Sequence, residues 1–230
     1  MKIFLKLLGL MGILIVAGLG YGAYSLGIIG TPKPKDLNVT YSVADLTRAD
    51  SKSGVESSIS GGATMIKYEG SHAVSQSFTA QELTAVANER AWSSLPFSNV
   101  QIRINPDNSV EFSGNLDTVK LSDYLVAAGG LSSADATKVK SYSQVQGNPS
   151  FYLNTTGVME NNKISLSINS VQVGPITVPT GYISQYQPMV VKFINSRLAA
   201  WEGMKVNSLT FKDSLLVFDG QLPDREIISQ

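Results

Sequence analysis

The chain has 230 residues, of which 43% are hydrophobic and 16% are charged. Its 18 basic and 18 acidic side chains balance, so the sequence lacks the overall basic footprint of a nucleic-acid-binding protein. It contains no cysteine, which excludes a disulfide framework, thiolate metal ligands and a cysteine nucleophile.

The first segment is an uncharged apolar run over residues 7–29, preceded by Lys2 and Lys6. A helix of about 20 apolar residues crosses the hydrocarbon core of a bilayer, and positive charge before it favours a cytoplasmic N-terminus. The alternative is a cleaved signal peptide, whose apolar region runs about 7–15 residues before a small-x-small site. Because this run is longer and no Ala-x-Ala closes it, the sequence predicts an uncleaved, single-pass plasma-membrane anchor, with residues 1–6 in the cytoplasm.

The remainder is predicted to be extracytoplasmic. Residues 30–36 form a short stiff linker, since prolines favour extended backbone. A domain over residues 37–223 and a tail over residues 224–230 complete the chain. The first part of the domain predicts a strand at 37–42, a helix at 43–52, a Ser- and Gly-rich loop at 53–62, and strands at 63–68 and 73–78 flanking a turn at 69–72.

A helix followed by a hairpin comes next. Thr79 and Glu82 have the spacing of a capping box, and Leu83 and Val86 lie on the apolar stripe of a helix predicted over 79–92. Alternating residues then predict strands at 100–105 and 110–116, joined by a turn. Further helices are predicted at 120–128 and 133–142, and further strands at 151–159 and 163–173.

The last fifty residues follow the same plan of helix and hairpin. Apolar residues recur at three- and four-residue steps from Pro188, which predicts a helix over 188–201. The alternative is a longer helix that begins near residue 180 and is kinked at Pro188. Strands are predicted at 204–211 and 215–222, and the run Leu215, Leu216, Val217, Phe218 predicts a strand covered on both faces. Each helix also ends with a similar pattern: Asn88, Arg90 and Trp92 in the first, and Asn195, Arg197 and Trp201 in the second.

The sequence offers little for catalysis. His72 is the single histidine, so a Ser-His-Asp triad, a zinc site or a proton shuttle would all depend on it. Residues 107–111 resemble a calcium loop, but the glycine and the closing glutamate are missing, and a turn explains them. The prediction is therefore a protein that is not an enzyme, with no metal and no cofactor.

The two arginines have two interpretations. Arg90 and Arg197 fit lipid headgroup phosphates, because a guanidinium donates two parallel hydrogen bonds to a phosphate. They also fit helix C-termini, where the helix dipole favours positive charge. The second, structural interpretation is preferred.

The order of the segments resembles a known family. An N-terminal anchor, strand pairs, the run Val173-Gly-Pro-Ile-Thr-Val-Pro179, a helix, Gly203-Met-Lys-Val206 and a last hairpin resemble the YpmS-like membrane-anchored bacterial envelope proteins. That family is similar to the LmeA-like and tubular lipid-binding proteins, in which a curved antiparallel sheet wraps a helix. The resemblance covers residues 171–223 most closely. It implies an extracytoplasmic envelope protein without catalytic residues. The chain departs from the tubular proteins in length, since it could form only a short groove.

The predicted fold is α+β, a curved antiparallel sheet of hairpins with the helices at 79–92 and 188–201 packed on its concave face. The first functional hypothesis is a non-catalytic domain that binds a lipid or other amphiphile in an apolar groove lined by Leu83, Val86, Phe112, Phe193, Val217 and Phe218. The alternative is a ligand-free envelope scaffold that docks a protein partner, for example through an exposed strand edge.

Overall fold

The structure is a computed structural model that describes residues 33–60, 65–89, 95–127 and 148–229. It has an α+β fold with a large, mostly antiparallel sheet and few helices. The predicted anchor at 7–29 and the predicted helix at 133–142 lie outside the described residues. Within the described ranges, no helix is long and apolar enough to cross a membrane.

The described elements of the first half are α1 (Val43–Ser53), β1 (Glu56–Ser60), β2 (Met65–Glu69), β3 (His72–Thr79), α2 (Ala80–Asn88), β4 (Phe97–Ile104), β5 (Val110–Leu116) and α3 (Thr118–Ala127). Those of the second half are β6 (Ser150–Glu160), β7 (Lys163–Val173), β8 (Ile176–Thr177), α4 (Thr180–Ala200), β9 (Lys205–Lys212), β10 (Leu215–Leu222) and β11 (Arg225–Ser229).

The strands form two sheets. The larger has the order β3-β10-β9-β6-β5-β4, with β7 on the other side of β6 and β8 beside β7. The smaller has the order β1-β11-β2, in which β1 runs parallel and β2 antiparallel to β11. The two sheets are continuous in sequence, because β2 leads into β3 and β10 leads into β11.

Three hairpins of the large sheet agree with the sequence prediction. They are β4–β5, β6–β7 and β9–β10, each with an antiparallel register. The turns contain polar residues in the left-handed backbone region: Asn161 and Asn162 between β6 and β7, and Asp213 and Ser214 between β9 and β10. Two adjacent residues with positive φ match the twist of a tight hairpin.

The predicted capping box of α2 is present. The Thr79 hydroxyl accepts a hydrogen bond from the Glu82 N–H at 3.2 Å, and the Glu82 carboxylate accepts one from the Thr79 N–H at 2.9 Å. Glu82 is buried, and Lys52 of α1 donates to both of its carboxylate oxygens at 2.8 Å. The cap of α2 is therefore also the contact that joins it to α1.

The last helix differs from its prediction. α4 begins at Thr180, so Pro188 lies inside it, and the longer helix is the correct alternative. Its first turns are supported by tertiary contacts, because Ile183 is buried and the Gln187 side chain accepts from the Ile168 N–H at 2.9 Å. These contacts outweigh the helical hydrogen bond that a proline cannot donate.

Three segments have a secondary structure that differs from the sequence prediction. The predicted strand at 37–42 is an irregular segment, and the loop predicted at 53–62 contains β1. Residues 225–229, predicted as a tail, form β11, the middle strand of the small sheet. The strands flanking residues 70–71 pair in different sheets, β2 with β11 and β3 with β10.

One hydrophobic cluster underlies the large sheet and contains residues from both α2 and α4. The two faces of the strands differ as alternation predicts: in β10, Leu216 and Phe218 are buried, whereas Val217 is 36% exposed. The prediction that this strand is covered on both faces was therefore wrong. Side chains alternate across a strand, and the side that carries Val217 faces away from the cluster.

Candidate functional site

The residues predicted to line an apolar groove are partly brought together. Leu83 and Val86 of α2, Phe112 of β5 and Phe218 of β10 all belong to the hydrophobic cluster, which also contains Val190, Ile194 and Leu198 of α4. Val217 lies on the opposite side of its strand. Phe193 and Arg197 lie within α4, but their side chains are outside the description, and Arg90 lies outside the described residues altogether.

The cluster is close-packed at α2. Leu83 and Val86 are both 0% exposed, as are Ile102 of β4 and Ile194 of α4. A side chain with no exposed surface borders neither solvent nor a cavity that could hold a water molecule. The interior beside these four residues is therefore filled by the protein's own side chains.

Side chains of α2 cover one edge of the large sheet. The Asn88 amide donates to the Val100 carbonyl at 2.8 Å and accepts from the Val100 N–H at 2.9 Å. One turn earlier, the Thr84 hydroxyl accepts from the Ile102 N–H at 3.0 Å. Strand β4 thus finds on α2 the hydrogen-bonding groups that another strand would supply.

Side chains of α4 accept hydrogen bonds from backbone N–H groups at the edge of β7. The side-chain oxygen of Asn195 accepts a hydrogen bond from the Ile164 N–H at 2.8 Å, and the side-chain oxygen of Gln187 accepts one from the Ile168 N–H at 2.9 Å. Beyond these positions β8 pairs with the end of β7. Each of the two similar helices therefore closes a sheet edge, but α2 closes the hairpin that follows it, whereas α4 closes the one that precedes it.

A buried carboxylate lies on the face of the sheet away from the cluster. Glu111 of β5 is buried, and the Tyr152 hydroxyl of β6 donates to it at 2.6 Å. The Asn105 amide donates at 3.1 Å, and the guanidinium of Arg103, its cross-strand partner, also donates to it. Burial by itself raises the pKa of Glu111, but these hydrogen bonds and the charge of Arg103 outweigh burial, and the pKa is lowered.

Residues 35–39, which we call the strap, pass over this carboxylate. Lys35 Nζ lies 3.6 Å from Glu111 and 3.7 Å from the centre of the Tyr152 ring. Leu37 is 1% exposed, and its N–H donates to the side chain of Gln101 at 2.7 Å. The end of the predicted linker is therefore fixed to the sheet rather than free.

The same outer face carries a row of small uncharged side chains. Val217 of β10 is paired with Ser77 of β3 on one side and Thr210 of β9 on the other. Met159 of β6 pairs with Leu209 of β9 in antiparallel register, so Val158 lies beside Thr210 and continues the row. Ser165 of β7 pairs with Val158 on its other side. Val217 and Val158 are 36% and 41% exposed. We call these five residues the outer row.

His72 holds the two sheets together. Its Nδ1 lies 2.8 Å from the Asp224 carboxylate, which precedes β11, and its Nε2 lies 2.8 Å from the Ser53 carbonyl at the end of α1. Both ring nitrogens thus lie within hydrogen-bond distance of an oxygen atom. These contacts include no nucleophile, and they link β3 to the end of α1 and to the residue before β11. We call them the His72 clamp.

A polar cleft of about 400 Å³ lies beside this clamp and is lined by Gly54, Glu56, Glu69, Gly70, Asp224 and Arg225. Its carboxylates are already partly paired, since Glu69 contacts Lys67 and Glu56 contacts Arg225. Across the described ranges, no group of histidines and carboxylates is arranged to hold a metal ion. The cleft's polarity does not suit an acyl chain.

Sequence reasoning did not single out Tyr152, Leu37 or, apart from Val217, the members of the outer row, and it considered Glu111 only as the end of the run at residues 107–111. One signal was available, because Arg103 and Glu111 are opposite in charge and equally spaced about the turn at residue 107, as cross-strand partners are. The outer row had no such signal, since it joins strands that are distant in sequence. The chain matches no protein-family profile, no curated protein and no solved structure.

Proposed function

We propose that this chain is a non-catalytic, single-pass bacterial envelope protein whose extracytoplasmic domain is a filled scaffold that docks a protein partner. The observation that carries the scaffold is the complete burial of Leu83 and Val86, which leaves no space for a ligand beside them. The apolar run at residues 7–29 supports the anchor. Residues 1–6 are then cytoplasmic, and the described domain lies outside.

The surface best suited to a protein partner is the outer row. Its five members are hydroxyl or β-branched residues without charge, aligned across β3, β10, β9, β6 and β7. Because the row itself carries no charge, its side chains are inexpensive to desolvate, and depletion of charge marks the centre of protein interfaces. The β4 and β7 edges of the large sheet suit a partner strand less well, because α2 and α4 already bond these two strands.

The test is photo-crosslinking in native membranes. A photoreactive side chain replaces Val217 or Val158 in the full chain, and Val119, which is 72% exposed at the start of α3, provides the control position. The proposal expects one discrete crosslinked species from both outer-row positions, its loss when Thr210→Lys is added, and none from position 119. Equal crosslinking at all three positions would contradict it.

Amphiphile binding is the second candidate, and the shared cluster supports it. Because α2 and α4 contribute to one apolar interior, an acyl chain that entered between them would gain about 25 cal/mol per Å² of apolar surface buried. This candidate includes the predicted curvature of the sheet, with α2 and α4 on its concave face. The ligand would have to displace α2 or α4, since Leu83 and Val86 border no cavity.

In this second candidate the lining is the predicted set without Val217, namely Leu83, Val86, Phe112, Phe193 and Phe218, and Arg90 and Arg197 serve a phosphate headgroup. A resident amphiphile adds mass to the folded protein, whereas a filled scaffold carries none. The two candidates therefore differ in a quantity that can be measured without knowing the ligand.

A further inference from the structure

The start of the described chain limits how the domain sits on its membrane. Lys35 and Leu37 are docked on β4, β5 and β6 through the contacts with Glu111, Tyr152 and Gln101. The Arg103 guanidinium also reaches the Leu37 carbonyl, at 3.5 Å. The point at which the chain meets the folded domain is thus a fixed position on the outer face of the large sheet.

The tether between this point and the predicted anchor is short. Only residues 30–34 separate Ile29, the last residue of the apolar run, from Lys35. A fully extended chain spans at most about 3.3–3.6 Å per residue, so Lys35 lies within about 20 Å of the hydrocarbon edge. The headgroup layer takes up about 5–8 Å of that distance. The outer face near the strap is therefore kept close to the lipid surface.

The chemistry of this region suits a phosphate surface. Lys33 is exposed, and the side chains of Lys35 and Arg103 are 46% and 39% exposed. Their shared partner Glu111 is buried beneath them, so the cations face outward and the carboxylate inward. Asp36 is the acidic residue exposed within the strap, and its carboxylate accepts from the Asn38 N–H at 2.8 Å.

We infer that the strap face, formed by Lys33, Lys35 and Arg103 above Glu111, rests on the anionic headgroups of the bilayer that anchors the chain, and so sets the orientation of the domain. This inference rests on the anchor of the proposed function. The α4 side of the sheet then points away from the membrane, because α4 packs on the opposite, apolar side of the sheet. A partner on the outer row would itself lie near the bilayer.

Because the chain contains no cysteine, one introduced cysteine provides a single labelling site. Full-length Ser167→Cys and Ser184→Cys each carry one fluorophore, the first on the outer side of β7 and the second on α4, and both positions are exposed. The proteins are reconstituted in vesicles of phosphatidylcholine with or without phosphatidylglycerol, with a nitroxide quencher on some headgroups. The expected result in anionic vesicles is loss of fluorescence at position 167 and none at position 184.

Flotation with the vesicles is measured first, because a chain that does not float lacks the anchor and overturns both proposals. If the chain floats, equal quenching at the two positions, or stronger quenching at position 184, overturns the orientation alone. Lys33→Gln with Lys35→Gln should abolish the added quenching at position 167, whereas Lys192→Gln, an exposed position on α4, should not. Quenching that is equal in neutral and anionic vesicles overturns the headgroup contact.

Discussion

Asn88 uses one side-chain amide to satisfy both backbone polar groups of Val100, donating to the carbonyl and accepting from the N–H. A helix thereby ends the large sheet at β4, where an open edge would otherwise present unpaired groups. Open edges pair with other chains. This contact therefore stabilises the fold and also closes the β4 edge to strands of other chains.

Asn88→Leu tests the edge contact. The variant keeps the size of the side chain but leaves the Val100 N–H and carbonyl without their partners, so we expect the free energy of unfolding to fall by about 1–3 kcal/mol. Chemical denaturation measures the loss, and light scattering should show association at concentrations where the parent is monodisperse.

The control for that variant is Asn169→Leu, since Asn169 is exposed and its amide donates to another side chain, Asn154, at 2.7 Å. We expect a change within about 0.5 kcal/mol there. Equal losses from the two variants would show that the amide of Asn88 has no special role at the edge.

Glu111 makes the free energy of unfolding depend on pH in the acidic range. Its pKa in the folded chain is lowered from an ordinary value of 4.5, because hydrogen bonds and the charge of Arg103 outweigh the effect of burial. A carboxyl with a lowered pKa stabilises the fold above the pKa of the unfolded chain, and that contribution is lost as the pH falls through the folded pKa. We therefore expect Glu111→Gln to be destabilising at pH 7 and the difference from the parent to shrink below about pH 4.5.

Urea denaturation from pH 7 to pH 3 measures this difference. Tyr152→Phe is the companion variant, because it removes one donor to Glu111 and keeps the ring that Lys35 covers. Its difference from the parent should also shrink in acid, by a smaller amount. A Glu111→Gln difference that is constant across the pH range would refute the role given to the charge.

Gly203 permits a close approach between two loops. Its φ is +72°, and a Cβ there would lie 2.5 Å from the Gly70 carbonyl oxygen. Gly203→Ala should therefore destabilise the fold by more than about 1 kcal/mol. Gly181→Ala is the matched control in α4, where a Cβ meets nothing within 4 Å, and it should be neutral or stabilising by about 0.4–1 kcal/mol. Thermal unfolding of the two variants measures these changes in stability. A Gly203→Ala protein as stable as the parent would contradict the close approach of Gly203 to the Gly70 carbonyl.

The hairpins and caps were predictable because their signals are local. Alternation in Val100, Ile102 and Ile104 and the spacing of Thr79 and Glu82 specify a strand face and a helix start without reference to the rest of the chain. Tertiary partners are not encoded in this way. Nothing in residues 65–79 indicates that β2 and β3 pair in different sheets.

The failures have related causes. β1 contains three serines among five residues and forms by pairing with β11, which is distant in sequence. The burial of Ile183 and the hydrogen bond accepted by Gln187 stabilise the start of α4. The position of Pro188 in the sequence gives no information about these tertiary contacts. The apolar residues Leu215 to Phe218 indicated burial on both faces, but the helices lie on the cluster side and leave Val217 exposed.

The most direct measurement of the central claim, a filled interior, is native mass spectrometry of the folded full-length protein released from lipid nanodiscs. The account predicts the mass of the chain alone, 24.6 kDa, once loosely held lipid is removed by gentle activation. A stoichiometric lipid that survives activation and is lost in Leu83→Arg, but retained in Val119→Arg, would contradict the filled interior and favour the amphiphile site.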